Sequence, residues 1–393
     1  MTEVIVLRNA AAVRTASPFE FGGPSITSMG PAGPPEPQIE KHDIPLHEAI
    51  DLARDPQVSA ITKPMPISLI KPLEVEGSTA ATTAWGIPAV QADTSTKDGD
   101  GVVVAVLDTG IDKTHLAFAG VTLVEQDFTG SGNGDQHGHG THCAGTIFGR
   151  DVSGTRIGIA RGVKKALIGR VLGANGGGSS EMIFRGIQWA LDQGADVISM
   201  SIGFDFPGAV KAAESQGIPT EPAVSNALEA YRSNLLFFNA LMQMVKARAA
   251  FQPTAVVVAA AGNESRRPNF KIASSLPAAS EGVLSVAALG RGTGGKFSVA
   301  FFSNTMSQVA APGVDILSAK LGGGLASMSG TSMACPHVAG CAVLWWQALK
   351  QGGTQRPTAN LVIQNLTVGA QTNMLEAGMT PEDRGTGIVT APP

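Results

Sequence analysis

Three short motifs place a carboxylate, an imidazole and a hydroxyl among small residues, in that order along a chain of 393 residues. Asp108 ends an apolar run, His139 lies in the glycine-rich stretch 138–142, and Ser332 is the third residue of the octapeptide 330–337. A serine hydroxyl attacks a carbonyl carbon when a base takes its proton, and a carboxylate can orient that base. The set predicts Ser332 as nucleophile, His139 as general base and later acid, and Asp108 as the group that orients the imidazole.

A fourth motif supplies a donor for negative charge on the attacked carbonyl. Asn263 follows a run of small residues, and its side-chain amide can donate a hydrogen bond to an oxyanion. The backbone N–H of Ser332 is predicted to be the second donor. Ser332 is predicted to begin a helix, and the dipole at the N-terminus of that helix favours negative charge.

These four motifs, in the order Asp, His, Ser, resemble those of the subtilisin-like serine proteases. The stretch 139–145, in which Cys143 follows the histidine motif, is most similar to the proteinase K type. The resemblance runs from about residue 84 to residue 391. It implies a three-layer α/β/α fold around a mostly parallel sheet, and a serine endopeptidase that hydrolyses peptide bonds through an acyl-enzyme on Ser332.

The resemblance also assigns a substrate cleft. Ser201, Ile202 and Gly203 correspond to an edge strand with which an extended peptide pairs, and Ala261 and Gly262 correspond to the opposite wall. Because main-chain pairing needs a peptide, a polypeptide is the expected substrate.

Neighbouring side chains offer alternatives for the same roles. His137 and His142 compete with His139 as the base, and Asp112 competes with Asp108, although the motifs favour His139 and Asp108. Cys143 is expected to be an inert small apolar residue. The alternative is that it lies under the histidine and makes the site sensitive to mercurials.

Calcium is common in this family, but the positions that usually bind it do not match. Ala117 stands where many members have a liganding acid, Val152 interrupts the loop 150–155, and Gln308 replaces an aspartate. We therefore expect no metal and no cofactor.

Composition restricts the possible partners. The net charge of −4 with no basic stripe argues against nucleic acid. No apolar stretch approaches the ~18 residues of a membrane span. Residues 1–8 resemble a strand rather than a Sec signal peptide, and three cysteines argue against a disulfide framework. We therefore expect a cytoplasmic location, with export by another route left open.

Apolar runs alternate with helical patterns through the main part of the chain. Continuous apolar strands indicate a parallel sheet that is covered on both faces. The predicted strands are 102–107, 165–171, 197–202, 255–260 and 283–288, and the predicted helices are 181–193 and 332–350.

Residues 1–78 resemble a small α+β pro-domain, with a linker to about residue 84 before a peptidase domain at 85–393. A strand at 1–9, a Pro/Gly-rich loop at 17–38, a helix at 46–53 and proline-broken extended chain at 58–73 are predicted. The resemblance implies that this segment assists folding and inhibits the active site. It also predicts a zymogen that cuts itself between about residues 76 and 84. The alternative is a permanently attached accessory domain.

An insertion at about 204–252 departs from compact family members. Apolar residues at steps of three and four predict a long amphipathic helix that begins near Asn226, with Glu229 completing a capping box. One interpretation is a core helix with an N-terminal loop. The other is that residues 204–224 form a rim that narrows specificity.

Two other functions are considered. A pseudo-protease would use the cleft only to bind peptides. A lipase or esterase would need a Gly-x-Ser-x-Gly elbow and the order Ser, Asp, His, and the sequence has neither.

Overall fold

A computed structural model describes residues 2–9, 36–73, 83–249, 254–353 and 357–393. The strands are β1 Thr2–Asn9, β2 Pro37–Ile44, β3 Val58–Thr62, β4 Pro66–Leu69, β5 Val103–Asp108, β6 Thr122–Asp127, β7 Lys165–Arg170, β8 Gly177–Ser179, β9 Val197–Met200, β10 Ile202–Phe204, β11 Val256–Ala260, β12 Val283–Arg291, β13 Phe297–Val299, β14 Val309–Pro312, β15 Ile316–Ala319 and β16 Leu325–Met328. The helices are α1 Leu46–Leu52, α2 Gly86–Ala89, α3 His139–Phe148, α4 Ser180–Asp192, α5 Phe206–Ser215, α6 Thr220–Arg248, α7 Thr331–Gln351, α8 Ala359–Val368 and α9 Pro381–Arg384. Among the helices in these ranges, none has both the length and the apolar character that a membrane crossing requires.

The central sheet has the strand order β13-β12-β11-β9-β5-β7-β6, and β14 also pairs with β12. The pairs are parallel except that β13 runs antiparallel to β12 at one edge. The mostly parallel sheet expected from the continuous apolar runs is therefore confirmed.

Alternate residues of the central strands enter two separate cores. Val104 and Val106 of β5 pack with residues of α3 and α7, whereas Ala105 and Leu107 pack with residues of α4 and α6. Successive side chains of a strand point to opposite faces, so each face needs its own helical layer. The three-layer α/β/α architecture is confirmed.

The parallel strands bring the chemically interesting motifs to one edge of the sheet. Asp108 is the last residue of β5, and Asn263 follows β11 by three residues. Open α/β sheets bind ligands at the carboxyl ends of their strands. The helices α3 and α7 begin at the same edge, with His139 and Ser332 in their first turns.

The N-terminal segment forms an antiparallel sheet in the order β2-β1-β3. On one face Val4 and Val6 pack on Ala49 of α1. On the other face Ile5 and Leu7 are fully buried in the core that contains α4 and α6. The expected Pro/Gly-rich loop lies almost entirely outside the described residues.

Two polar contacts join this N-terminal sheet to the insertion helix α6. Thr62 and Ser233 share a hydrogen bond of 2.8 Å between their hydroxyls, and the amide of Asn234 donates to the Lys63 carbonyl at 2.9 Å. Asn234 is fully buried, whereas Ser233 is half-buried and Lys63 is exposed. The helix therefore holds both the central sheet and the N-terminal segment.

The insertion differs from the sequence-based expectation at its start. The helix predicted to begin near Asn226 begins at Thr220, so Asn226 is a helix-interior residue. The segment expected to be a loop contains α5, whose cap is Asp205, because its carboxylate accepts the Gly208 N–H at 2.8 Å. Pro207 stands in the first turn, where proline is well tolerated. The sequence Asp-Phe-Pro was a helix-start signal.

An ion cluster fixes the loop that follows Asn263. Asp383 of α9 is 7 % exposed and accepts from Arg267 Nη2 and Lys271 Nζ, both at 2.8 Å, and from Thr380 Oγ1 at 2.9 Å. Burial alone would raise the pKa of Asp383, but the bonds from Lys271, Arg267 and Thr380 outweigh it and lower the pKa to about 2.

We expect Asp383→Asn to lower the free energy of unfolding by about 2 kcal/mol at pH 7. Because the folded pKa lies below the value in an unfolded chain, this stabilisation is complete above about pH 4 and is lost as the pH falls toward 2. Denaturant unfolding at pH 7 and pH 3 should show a smaller deficit at pH 3. Glu382→Gln, an exposed neighbour, is the control, and a deficit that does not change with pH would contradict the account.

Candidate active site

Asp108 and His139 form a buried pair. His139 Nδ1 lies 2.8 Å from Asp108 Oδ1 and 3.0 Å from Oδ2. The Thr109 N–H also donates to Oδ1, at 2.7 Å. An imidazole that donates from Nδ1 to a carboxylate keeps Nε2 as an acceptor, which is the tautomer a general base needs.

A second carboxylate, Asp135, holds the turn in front of His139. It accepts the Gly138 N–H at 2.8 Å, the Thr109 hydroxyl at 3.0 Å and the Thr141 hydroxyl at 2.6 Å. Burial alone would raise the pKa of Asp135, but hydrogen bonds from the Thr141 hydroxyl and from the backbone N–H groups of Gly138, Thr141 and His137 lower it. Sequence reasoning missed Asp135. Its signal was an acid four residues before His139, because such a residue can cap the first turn of α3.

Ser332 lies in the first turn of α7, fully buried, and its hydroxyl is engaged by the N-terminal segment. Its Oγ donates to the Ile70 carbonyl at 3.0 Å. His139 Nε2 is buried and has no hydrogen-bond partner within the described residues. Because the serine hydroxyl donates to the Ile70 carbonyl, no hydrogen bond joins it to the imidazole of His139.

The amide of Asn263 is oriented by the residue before the serine. Asn263 Oδ1 accepts the Thr331 N–H and the Thr331 hydroxyl, both at 2.9 Å. Nδ2 therefore faces the cleft, where it donates to the Lys71 carbonyl at 2.9 Å. A Cβ at Gly330 would lie 2.9 Å from Nδ2, so a side chain there would displace the amide of Asn263. Thr331 was not singled out from the sequence, although it stands inside the octapeptide.

Residues 66–73 of the N-terminal segment occupy the cleft as an extended peptide. Strand β4 lies between β10 and β8 and pairs antiparallel with both. Beyond the strand, the Leu73 N–H donates to the Ser329 carbonyl at 2.8 Å. The cleft therefore binds an extended peptide by main-chain hydrogen bonds on both sides of Ser332.

The segment places two different carbonyls at Ser332 and Asn263. Ser332 Oγ contacts the carbonyl of Ile70, while the Asn263 amide contacts that of Lys71. Acyl transfer needs one carbonyl whose carbon faces the hydroxyl and whose oxygen faces the donor. Pro72 restricts the backbone of Lys71 to extended conformations. In this arrangement neither carbonyl contacts both the hydroxyl of Ser332 and the amide of Asn263.

Of the three residues predicted to form the edge strand of the cleft, two pair with this peptide and one does not. Ile202 pairs with Leu69 and Gly203 with Ser68, as an edge strand would. The Ser201 hydroxyl instead turns inward and donates to the Ser332 carbonyl at 3.0 Å.

The opposite wall lies beside the oxyanion donor. The N–H groups of Ala261 and Gly262 are bound by the Val286 carbonyl and the Thr331 hydroxyl, at 3.1 Å each. Both residues are buried, and these bonds direct their backbone toward the interior rather than toward the segment in the cleft.

The competing histidines and acid lie elsewhere. His142 Nε2 donates to the Ile316 and Ala326 carbonyls at 2.9 and 3.1 Å, and burial lowers its pKa to about 3. His137 is exposed. Asp112 accepts hydrogen bonds from the Thr114 hydroxyl and from the Gly322 N–H, so its carboxylate is engaged away from His139. Among the three histidines of this stretch, only His139 is hydrogen-bonded to Asp108.

Cys143 lies beneath the imidazole, fully enclosed. Its Sγ is 3.8 Å from His139 Nδ1 and 3.4 Å from the Ser332 carbonyl oxygen. Burial raises the pKa of this thiol well above its ordinary value, so it is protonated. Asp108, His139 and Cys143 are close enough to hold a metal ion. However, Asp108 and His139 already bind each other, and a metal ligand must be a thiolate, whereas this thiol is protonated.

Comparison with known proteins gives consistent matches. A model of the Subtilase family matches residues 99–386. Subtilisin-like protease 3 of Pseudogymnoascus destructans and Subtilisin-like protease 6 of Trichophyton rubrum are both 34 % identical, over 70 % and 71 % of this chain. The alignments cover 59 % and 61 % of those two proteins, so the chain spans about three fifths of their length. An Intracellular serine protease of Paenibacillus polymyxa is 31 % identical over 74 % of this chain and 79 % of its own.

The expected cytoplasmic location is wrong. The similarity to the fungal subtilisin-like proteases contradicts it. The expectation relied on the pattern of residues 1–8, and that pattern does not determine where a protein acts. By the extent of the family match and by the identity of these relatives, the chain belongs to the subtilase family.

Proposed function

We propose that this chain is a serine endopeptidase. The observation that carries the proposal is a cleft in which an extended peptide pairs with β10 and β8 and crosses Ser332, beside the Asp108–His139 pair and the Asn263 amide. A site of this shape presents a peptide main chain, rather than a small ester, to a nucleophile.

The chemistry follows from the positions of four groups. His139 Nε2 takes the proton of Ser332 as Oγ bonds to the carbonyl carbon of the substrate. The resulting oxyanion accepts from Asn263 Nδ2 and from the backbone N–H of Ser332. His139 then protonates the leaving amine, and water releases the acyl group by the same steps in reverse. Asp108 keeps the imidazole oriented and stabilises its charged form.

Incubation with an unfolded protein, followed by mass spectrometry of new termini, tests this proposal. Internal peptide bonds should be cut. A chain that binds the unfolded protein but produces no new termini would be a pseudo-protease. A chain that cleaves only carboxylic esters would be an esterase.

We also propose that the N-terminal segment is an inhibitor and that the chain is a zymogen. Support comes from the zero exposure of His139 and Ser332 beneath the segment, and from the split between the Ile70 and Lys71 carbonyls. Autocleavage would then fall in the linker between about residues 76 and 84. Residues 76–82 of that interval lie outside the described residues.

Replacing Ile70 by aspartate should release the block. Ile70 is 4 % exposed, and an unpaired carboxylate in its place would be costly to bury. The freshly purified full-length variant should hydrolyse a chromogenic peptide at an initial rate at least about tenfold above wild type, since about 1.4 kcal/mol of weaker docking suffices. Lys71→Ala, whose side chain is exposed, is the control. Equal initial rates in uncut Ile70→Asp and wild-type chains would refute inhibition.

A further inference from the structure

The side chain of Ile70 marks a pocket at the end of the wall strand β10. A Cβ built on Gly203 would lie 3.3 Å from Ile70 Cγ1 and 3.5 Å from Ser275 Oγ. Ile70 is also the residue whose carbonyl meets Ser332. Gly203 and Ser275 therefore border the pocket for the side chain that precedes the carbonyl at the nucleophile.

The far side of this pocket is held through the backbone of Leu276. The Phe204 N–H of β10 donates to the Leu276 carbonyl at 3.0 Å. The Leu276 N–H donates to the hydroxyl of Tyr231 at 3.1 Å. Leu276 is fully buried, so both backbone groups depend on these partners. These two bonds hold its neighbour Ser275 from one side, and the bond from the Ala279 N–H to the Ser275 carbonyl, at 2.9 Å, holds it from the other.

Tyr231 belongs to the insertion helix α6 and is the only tyrosine in the chain. Its ring packs edge-on against Phe206 of α5, with centroids 6.2 Å apart. Burial raises the pKa of its hydroxyl, which therefore stays neutral. The spacing of apolar residues along α6 predicted only that this helix has an apolar face. It did not predict that the hydroxyl of Tyr231 accepts a hydrogen bond from the Leu276 N–H.

We propose that Tyr231 is a positioning residue for substrate specificity. Through the Leu276 N–H, its hydroxyl sets the distance between Ser275 and Gly203 and hence the size of side chain that the pocket accepts. This inference rests on the proposed peptidase function and assigns part of its specificity to the insertion.

The substitution Tyr231→Phe isolates the hydroxyl. It keeps the ring against Phe206 but leaves the buried Leu276 N–H without its acceptor. An unpaired buried N–H is relieved when the backbone moves toward another acceptor. Such a shift moves Ser275 and changes the pocket, while Asp108, His139 and Ser332 stay in place.

Kinetics with matched peptides should show the effect as a change in selectivity. We expect the ratio of kcat/KM for a peptide with isoleucine in this pocket to that for one with alanine to fall about tenfold in Tyr231→Phe. The change should lie mainly in KM, with kcat for the alanine peptide within about twofold of wild type. Ser233→Ala is the matched control, because it removes a hydroxyl of the same helix that contacts Thr62 instead. A lower Tm with an unchanged ratio would reduce Tyr231 to a purely structural residue and overturn the proposal.

A second measurement does not depend on hydrolysis. Full-length Ser332→Ala chain labelled with 3-fluorotyrosine carries one fluorine resonance, because Tyr231 is the only tyrosine. Adding Ile70→Gly empties the pocket, whereas Lys71→Gly alters the next residue, whose side chain is exposed. We expect the resonance to shift with Ile70→Gly and to stay in place with Lys71→Gly.

An unmoved resonance, or equal shifts in both glycine variants, would refute the link between Tyr231 and the pocket. If the resonance responds as expected but no peptide is cut by the wild-type chain, the proposed peptidase function fails, and only the structural link between Tyr231 and the pocket stands.

Discussion

Ser332→Ala is expected to abolish peptide hydrolysis and to leave the chain at its full length. Without the hydroxyl no acyl-enzyme can form, and the remaining donors of the cleft only bind substrate. The expected loss in kcat is about 10⁶-fold, a size measured in subtilisin, itself a member of this family. Peptide hydrolysis and intact-mass spectrometry of the purified chain measure both effects.

The matched control is Ser215→Ala, an exposed serine at the end of α5. It should hydrolyse peptides and lose its N-terminal segment as wild type does. A Ser332→Ala chain that is still trimmed in the linker would mean that another protease makes the cut. A Ser332→Ala chain that still hydrolyses peptides would remove this residue from the mechanism.

Asn263→Ala should lower kcat by about 10²- to 10³-fold with little change in KM. The amide that now holds the Lys71 carbonyl would hold the oxyanion, whose charge exists only during reaction. The quoted range again comes from subtilisin. Steady-state kinetics on a chain freed of its N-terminal segment measures the effect.

Asn239→Ala is the control, because this asparagine lies on α6 and its side chain caps the Glu281 N–H outside the cleft. If Asn263→Ala raised KM and left kcat intact, the amide would bind ground-state substrate only. Its assignment as an oxyanion donor would then be incorrect.

The alternation of apolar runs and helical patterns was sufficient to predict the fold. The helix expected at 332–350 spans Thr331–Gln351, and the one expected at 181–193 spans Ser180–Asp192. The apolar run that ends at Asp108 is a strand buried on both faces, which only a covered parallel sheet allows. A strand that is buried on both faces has a continuous run of apolar residues, which can be recognised in the sequence without tertiary information.

The contacts that orient the site are less visible in sequence. Thr331 and Asp135 act through hydrogen bonds between segments that lie far apart in the chain, and no periodicity reports such pairing. The split of the Ile70 and Lys71 carbonyls depends on how β4 aligns with β10, which is a matter of tertiary register. Helix α5 was missed although Asp205 and Pro207 form a recognisable start.

The most direct test of the account is a fluorophosphonate reaction followed by peptide mapping of the adduct. The probe should modify Ser332 and no other residue, and His139→Ala should abolish the reaction. Uncut wild-type chain should react more slowly than uncut Ile70→Asp, because the N-terminal segment holds the hydroxyl. An adduct on another side chain, or none on a folded Ile70→Asp chain, would contradict the assignment of Ser332 as the nucleophile.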